Sequence, residues 1–328
     1  MTESATNEAA SHFEYLPVAL FGSVMGLTGL SIAWGLAHVR YGTPAWIAEL
    51  IAGIAVVSFV AVAIGYATKV VTAPDRVKAE FAHPIAVNTF ATAWVSLLLL
   101  PIVLAPFNLV LARTLWAIGA FGIVILALYI VSRWLGRQHQ TAHATPAWIL
   151  PVVGMLDLPL ALPYLALPYT NELMVIGFAV GVFFAIPLFT LIFARLVFDA
   201  PMPSSLEPSL LVLVAPFAVG MSSYQATTAQ FDLFTSSLYV LTLFMLVVLL
   251  SRLRHLGSCC PFRVSWWAVS FPLAACAIAA LKFTVAKPGW ATDAAAATIL
   301  ALATVVILWL LARTLRGISQ GELRRLST

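Results

Sequence analysis

Long uninterrupted apolar runs, such as "SSLYVLTLFMLVVLL" at residues 236–250, dominate the chain and leave it very few folds to adopt. A run that is apolar on every side has no face to offer water. In a bilayer, only a helix or a closed β-barrel satisfies its own backbone hydrogen bonds. Barrel strands would alternate apolar and polar over segments of ~10 residues, and these runs do not. The spans are therefore helices. Composition agrees: 62% of the 328 residues are hydrophobic and 9% charged, against roughly 25% charged in soluble domains.

Breaking the runs at proline, glycine and charge clusters predicts ten spans. They cover residues 16–38, 45–68, 84–104, 109–132, 146–167, 173–197, 208–225, 233–250, 262–282 and 291–313. Residues 1–15 and 316–328 read as short tails flanking one membrane domain at 16–315. Thirteen of the 17 Lys and Arg residues fall in the tails and alternate connections on one side, leaving Arg40, Arg113, Lys282 and Lys287 on the other. Basic connections stay in the cytoplasm, so both termini are expected there. The net charge of +4 is thus a topological signal, with no nucleic-acid partner implied. The amino tail carries Glu3, Glu8 and Glu14 without a basic residue, unlike a signal peptide. Cys259, Cys260 and Cys276 supply neither a disulfide framework nor zinc-type spacing. His83, His139, His143 and His255 fall in connections and form no metal-ligand cluster, so neither metal nor cofactor is expected.

Several odd-numbered spans open on a polar residue and proline: "HPIAVNTF" at His83, "TPAWILP" at Thr145 and "EPSLLVLVAP" at Glu207. Pro84, Pro146 and Pro208 recur at intervals of 62 residues, one helical hairpin each. Five hairpins in a quasi-fivefold ring around a central pore would follow.

The odd spans also carry small or hydroxyl residues at helical spacing. These are Gly22, Gly26 and Gly29; Thr89, Thr92 and Ser96; Gly154, Asp157 and Ala161; Pro216, Gly220 and Ser223; Ala268, Phe271 and Ala275. Such faces either line a narrow channel or let helices approach closely, and Gly119, Gly122, Gly177 and Gly181 show that even spans have them too. Pro151, Pro216 and Pro272 inside odd spans predict kinks, which survive at membrane depth where they face protein or a wet cavity. Asp157 lies eleven residues after Pro146, roughly 16 Å along a helix and near the bilayer midplane. A carboxyl there either takes part in function, as a proton site, or bonds a neighbouring helix. Phe271, at similar depth, either closes a narrow channel or packs as one of 20 phenylalanines.

The stretches "FGSVMGLTGLSIAW" from Phe21, "RVKAEFAHPIAVNTF" from Arg76, "TPAWILPVVGMLDLP" from Thr145, "PSSLEPSLLVLVAPFAVG" from Pro203 and "SWWAVSFPLAACAIA" from Ser265 resemble one family. It is the tellurite-resistance/dicarboxylate transporter family, which takes in bacterial tellurite-resistance proteins and plant slow-type anion channels. The resemblance implies a homotrimer in the plasma membrane, each protomer with five inner and five outer helices around its own pore. It also implies that Phe271 plugs that pore, and that small inorganic or organic anions pass. With short tails, a bacterial relative fits better than a plant channel carrying a long regulatory amino terminus. The leading expectation is an anion channel gated by Phe271. The alternative is a proton-coupled carrier of dicarboxylate, sulfite or tellurite-type oxyanions, with Asp157 taking the proton. One buried Asp and scattered hydroxyls do not make an enzyme's constellation.

Overall fold

The structure, a computed structural model, describes residues 14–168, 170–254, 262–322 and Leu326. His255, Cys259, Cys260, Arg324, Arg325 and residues 1–13 of the expected amino tail lie outside the described residues. Among the described residues, ten helices are long and apolar enough to cross a membrane: Val18–Tyr41, Ala45–Thr72, Ala86–Leu104, Leu109–Gly136, Pro146–Leu165, Thr170–Phe198, Glu207–Thr228, Leu233–Leu253, Val264–Ala286 and Trp290–Ser319. The described residues contain no strand. The chain is a multi-pass, all-helical membrane protein.

Odd and even spans differ in what surrounds them. Between 56% and 78% of each odd span's apolar window is buried, against 22–44% for the even spans. The first span packs on the third, the third on the fifth, the fifth on the seventh, the seventh on the ninth and the ninth back on the first. Each even span packs on the odd span before it.

The two sets also differ in backbone. Even spans are single α-helices of 21 to 30 residues. Two of them open on a side-chain cap, Asn108 accepting from Leu111 N and Asp232 from Thr235 N, each at 3.0 Å. Four of the odd spans change helix type along their length, and the other is broken near its start. The first, fifth, seventh and ninth begin as 3-10 helix at Val18–Leu20, Pro146–Ile149, Glu207–Val214 and Val264–Val269. The third opens with a short α-turn, Ala86–Thr89, broken at Phe90.

The kinks expected at Pro151, Pro216 and Pro272 are, in the structure, these changes of helix type. Pro151 and Pro216 are second residues of their α-segments and Pro272 is third in Ser270–Ala286. A first-turn residue has no intrahelical acceptor within its own segment, so a missing N–H costs little there.

One connection carries a helix of its own, Pro74–Ala82. Its Glu80 accepts from Val18 N at 2.8 Å and from Lys69 Nζ at 2.7 Å. Lys69 Nζ also donates to Leu16 O at 2.8 Å, and Tyr66 OH to Glu80 at 3.2 Å. Lys69 and Glu80 side chains are only 5% and 12% exposed, so this network ties the start of the first span to the end of the second away from water.

Candidate functional site: two cavities inside the helix ring

All five odd spans run the same way, so their first halves meet near one face and their second halves near the other. Two cavities follow. The near cavity, about 140 Å³, is lined from the first halves. Among the residues singled out from sequence, Gly22, Thr89, Thr92 and Gly154 line it, as do Asp157, Ala268, Phe271 and Pro272. The far cavity, about 50 Å³, takes Phe271 again with Ala275, Ile278 and Lys282 from the ninth span. Phe271 and Val219 line both cavities and so stand between them.

The Phe271 ring is 7% exposed and rests on the first span, where a Cβ on Gly29 would sit 3.5 Å from its Cδ2 and 2.9 Å from Ala274 Cβ. Gly26 is a contact point too: a Cβ there would lie 2.3 Å from Ser270 Oγ. Both glycines therefore let the first and ninth spans touch, which answers for them the choice between lining and close approach. Ser96 likewise joins helices, donating to Phe21 O at 3.1 Å and Thr92 O at 2.7 Å. A Cβ on Gly220 would lie 3.8 Å from Leu156 Cδ1 and 3.9 Å from Leu238 Cδ1. Ser223 is fully buried, with an Oγ that has no partner. Pro151 and Pro216 mark the helix-type changes described above.

The hydroxyl stripe is chemically committed. Thr89 donates to Ala86 O and Thr92 to Thr89 O, both at 2.7 Å, while Ser209 donates to Leu206 O at 2.6 Å. Each hydroxyl has one proton, so in this conformation these offer none to an anion. Two lining hydroxyls that the sequence reading passed over are free. Thr145 Oγ1 and Ser265 Oγ are buried without a hydrogen-bond partner and both line the near cavity. Thr145 sits immediately before the 3-10 segment of the fifth span and Ser265 is the second residue of that of the ninth.

Asp157 is 3% exposed, its Oδ1 has no partner, and it makes no ion pair among the described residues. Burial of an ionised carboxylate without a cation or donor is costly, so anions can share this cavity only with a carboxyl that is protonated or turned aside. Lys282 was read from sequence as a residue of the connection. The structure places it on the far-cavity wall, and the signal was present: Phe271, Ala275, Ile278 and Lys282 recur at the spacing of one helical face. Of the histidines, His83 does structural work, its Nδ1 accepting from Ile85 N at 3.2 Å and Ala86 N at 3.1 Å. Among the described residues, no three His, Cys, Asp or Glu side chains gather as a metal site.

A ring of helices enclosing cavities that a single aromatic separates is an arrangement for passing something small. Comparison with known proteins supplies the family: the model described as SLAC1, voltage-dependent anion channel, matches residues 15–315. The chain belongs to the SLAC1 family. Within it, the chain is 27% identical over 307 residues to the S-type anion channel SLAH3 of Arabidopsis thaliana, covering 91% of this chain and 48% of that one. It is 26% identical over 316 residues to the guard cell S-type anion channel SLAC1 of the same plant, covering 91% and 55%. It is also 25% identical over 277 residues to the tellurite resistance protein TehA homolog of Haemophilus influenzae, covering 82% and 81%. The chain thus spans about half the length of the plant relatives and most of the bacterial one. The tellurite-resistance and slow-anion-channel resemblance read from the sequence is that of the SLAC1 family.

Proposed function

We propose that this protein is an anion channel that passes small inorganic or organic anions along the axis enclosed by its five odd spans, with Phe271 as the gate. The observation that carries the reading is the place of Phe271, on the wall of both cavities, as is Val219. A narrow apolar constriction blocks ions by sterics and dewetting. Gly22, Thr89, Thr92, Gly154, Asp157 and Ala268 line the path on one side of the gate, and Ala275 on the other. The membrane domain is residues 16–315, with tails at 1–15 and 316–328. The basic connections support cytoplasmic termini in a bacterial plasma membrane. The family resemblance supports a homotrimer surrounded by lipid, which native mass spectrometry from detergent would test. The test of function is anion flux in proteoliposomes at clamped voltage. Phe271→Ala should raise electrogenic anion current; a mutant no more conductive than wild type would overturn the gate.

One observation favours a second reading, a proton-coupled carrier of dicarboxylate, sulfite or tellurite-type oxyanions. Asp157 stands unpaired on the wall of the near cavity, where a proton could neutralise it as an anion passes. In that case an imposed pH gradient should drive uphill uptake that Asp157→Asn abolishes. Flux that ignores the gradient leaves the channel.

A further inference from the structure

The two cavities have opposite chemistry. The near one holds a carboxyl, Asp157, and the far one an ammonium, Lys282. Lys282 makes no ion pair or hydrogen bond with any described residue. The far-face carboxylates that could have served it are engaged or in solvent. Asp293 is held by Arg40 Nη2 at 3.1 Å and Tyr41 OH at 2.8 Å. Asp232 accepts from Tyr224 OH at 2.7 Å and Thr235 N at 3.0 Å. Glu49 and Glu172 are exposed. The helix does not require a cation on this face, because the positions below Lys282 on the same stripe, Ala275 and Ile278, are apolar. The far cavity adds two hydroxyls with no hydrogen-bond partner among the described residues. They are Ser222, beside Val219 in the seventh span, and Tyr164, near the end of the fifth.

We propose that Lys282, with the Ser222 and Tyr164 hydroxyls, forms an anion-binding station in the far cavity, where one small inorganic anion such as chloride or nitrate rests directly beyond the Phe271 ring. An ammonium in a narrow, low-dielectric vestibule concentrates anions far more than one on an open surface. Three hydrogen-bond donors replace part of the lost hydration. A cavity of about 50 Å³ has room for one small anion with a few waters, so the station favours small inorganic anions over dicarboxylates. It also makes the path asymmetric: anions from the far side meet a cation before the gate, and those from the near side meet Asp157.

The station rests on reading the ring as an anion path, so one arm of its test is independent of conduction. Reductive methylation of lysines in the wild-type protein, followed by peptide mass spectrometry, should be severalfold slower at Lys282 in chloride than in gluconate at equal ionic strength. Lys287, on the connection beyond the span, should be insensitive to the exchange. Lys282 responding no more than Lys287 would overturn the station. The second arm uses the Phe271→Ala background in planar bilayers. Adding Lys282→Gln should cut the current carried by chloride entering from the far side severalfold at low salt and much less at high salt, while Lys282→Arg should retain it. Unchanged current in the Gln variant again overturns the station. A Phe271→Ala protein that carries no anion current at all would refute the conduction reading instead, and the labelling arm would then decide the station alone.

Discussion

The odd and even spans both carry glycines, but the odd spans are less apolar, with mean hydropathy 1.4–1.9 against 2.3–2.5, and more buried, and they solve the backbone problem differently. Even spans are mostly exposed on the outside of the helix ring, and each is a single unbroken α-helix. Odd spans are irregular: four change helix type part-way, with Pro151, Pro216 or Pro272 at the change in three of them, and the third is broken at Phe90. Glycines do not separate the two classes. A Cβ on Gly122 in the fourth span would lie 2.2 Å from the Trp94 ring, and one on Gly181 in the sixth 2.5 Å from Leu156. Gly119, Gly122, Gly177 and Gly181 of the even spans are seats for inner-span atoms. What marks the inner ring is irregular backbone, which only surrounding protein can shelter.

The sharpest way to break that contrast is to cut the bond between the sets. Glu80→Ala removes the partner of buried Lys69, and loss of one member of such a pair costs about 3 kcal/mol or more. The thermal midpoint in detergent should fall markedly, with Lys69→Met in the same chain restoring part of it. Next come the seats: Gly26→Val and Gly122→Ala should each lose about 1–3 kcal/mol by overpacking. Gly53→Ala, with nothing within 4 Å of its added Cβ, should be neutral or slightly stabilising. If all three behave alike, the packing distinction fails. On function, Phe271→Ala should raise anion conductance about tenfold or more, equivalent to about 1.4 kcal/mol off the barrier. Phe183→Ala, on the outer surface and 68% exposed, should leave it unchanged.

The smallest effect concerns His83, which caps the third span only while its Nδ1 is unprotonated. Burial first, then His143 and Arg133, hold its pKa below the ordinary value of 6.5. A lowered folded-state pKa means the unfolded chain binds the extra proton first. The cap's contribution is therefore intact above pH about 6.5 and lost as pH falls through the folded value. Amide exchange at Ile85 and Ala86 should quicken on acidification, and His83→Asn should keep the cap without the pH dependence.

The span pattern was legible because hydrophobic length is a local property. Nine of the ten starts fall within two residues of expectation, and the seventh span, expected at 208–225, occupies Glu207–Thr228. The charge and proline repeat set the expected direction of the odd spans. What pattern could not reveal depends on neighbours. The stripes located the inner faces, but only packing separates Gly26 and Gly29, which touch the ninth span, from Gly22, which lines a cavity. Thr145 and Ser265 went unnoticed because a hydroxyl's worth depends on whether its proton is already given to a carbonyl. Lys282 was absorbed into a count of connection charges, although its helical phase with Phe271 could have been read directly.

The 3-10 start of the ninth span makes the backbone itself a screw beneath the aromatic ring. Six residues, Val264–Val269, precede the α-segment that carries Phe271. A 3-10 helix advances about 2.0 Å and 120° per residue, an α-helix about 1.5 Å and 100°. Rewinding those six residues as α-helix would draw the ring about 3 Å toward the near face and swing it about 120° around the helix axis, with no change of its own side-chain torsions.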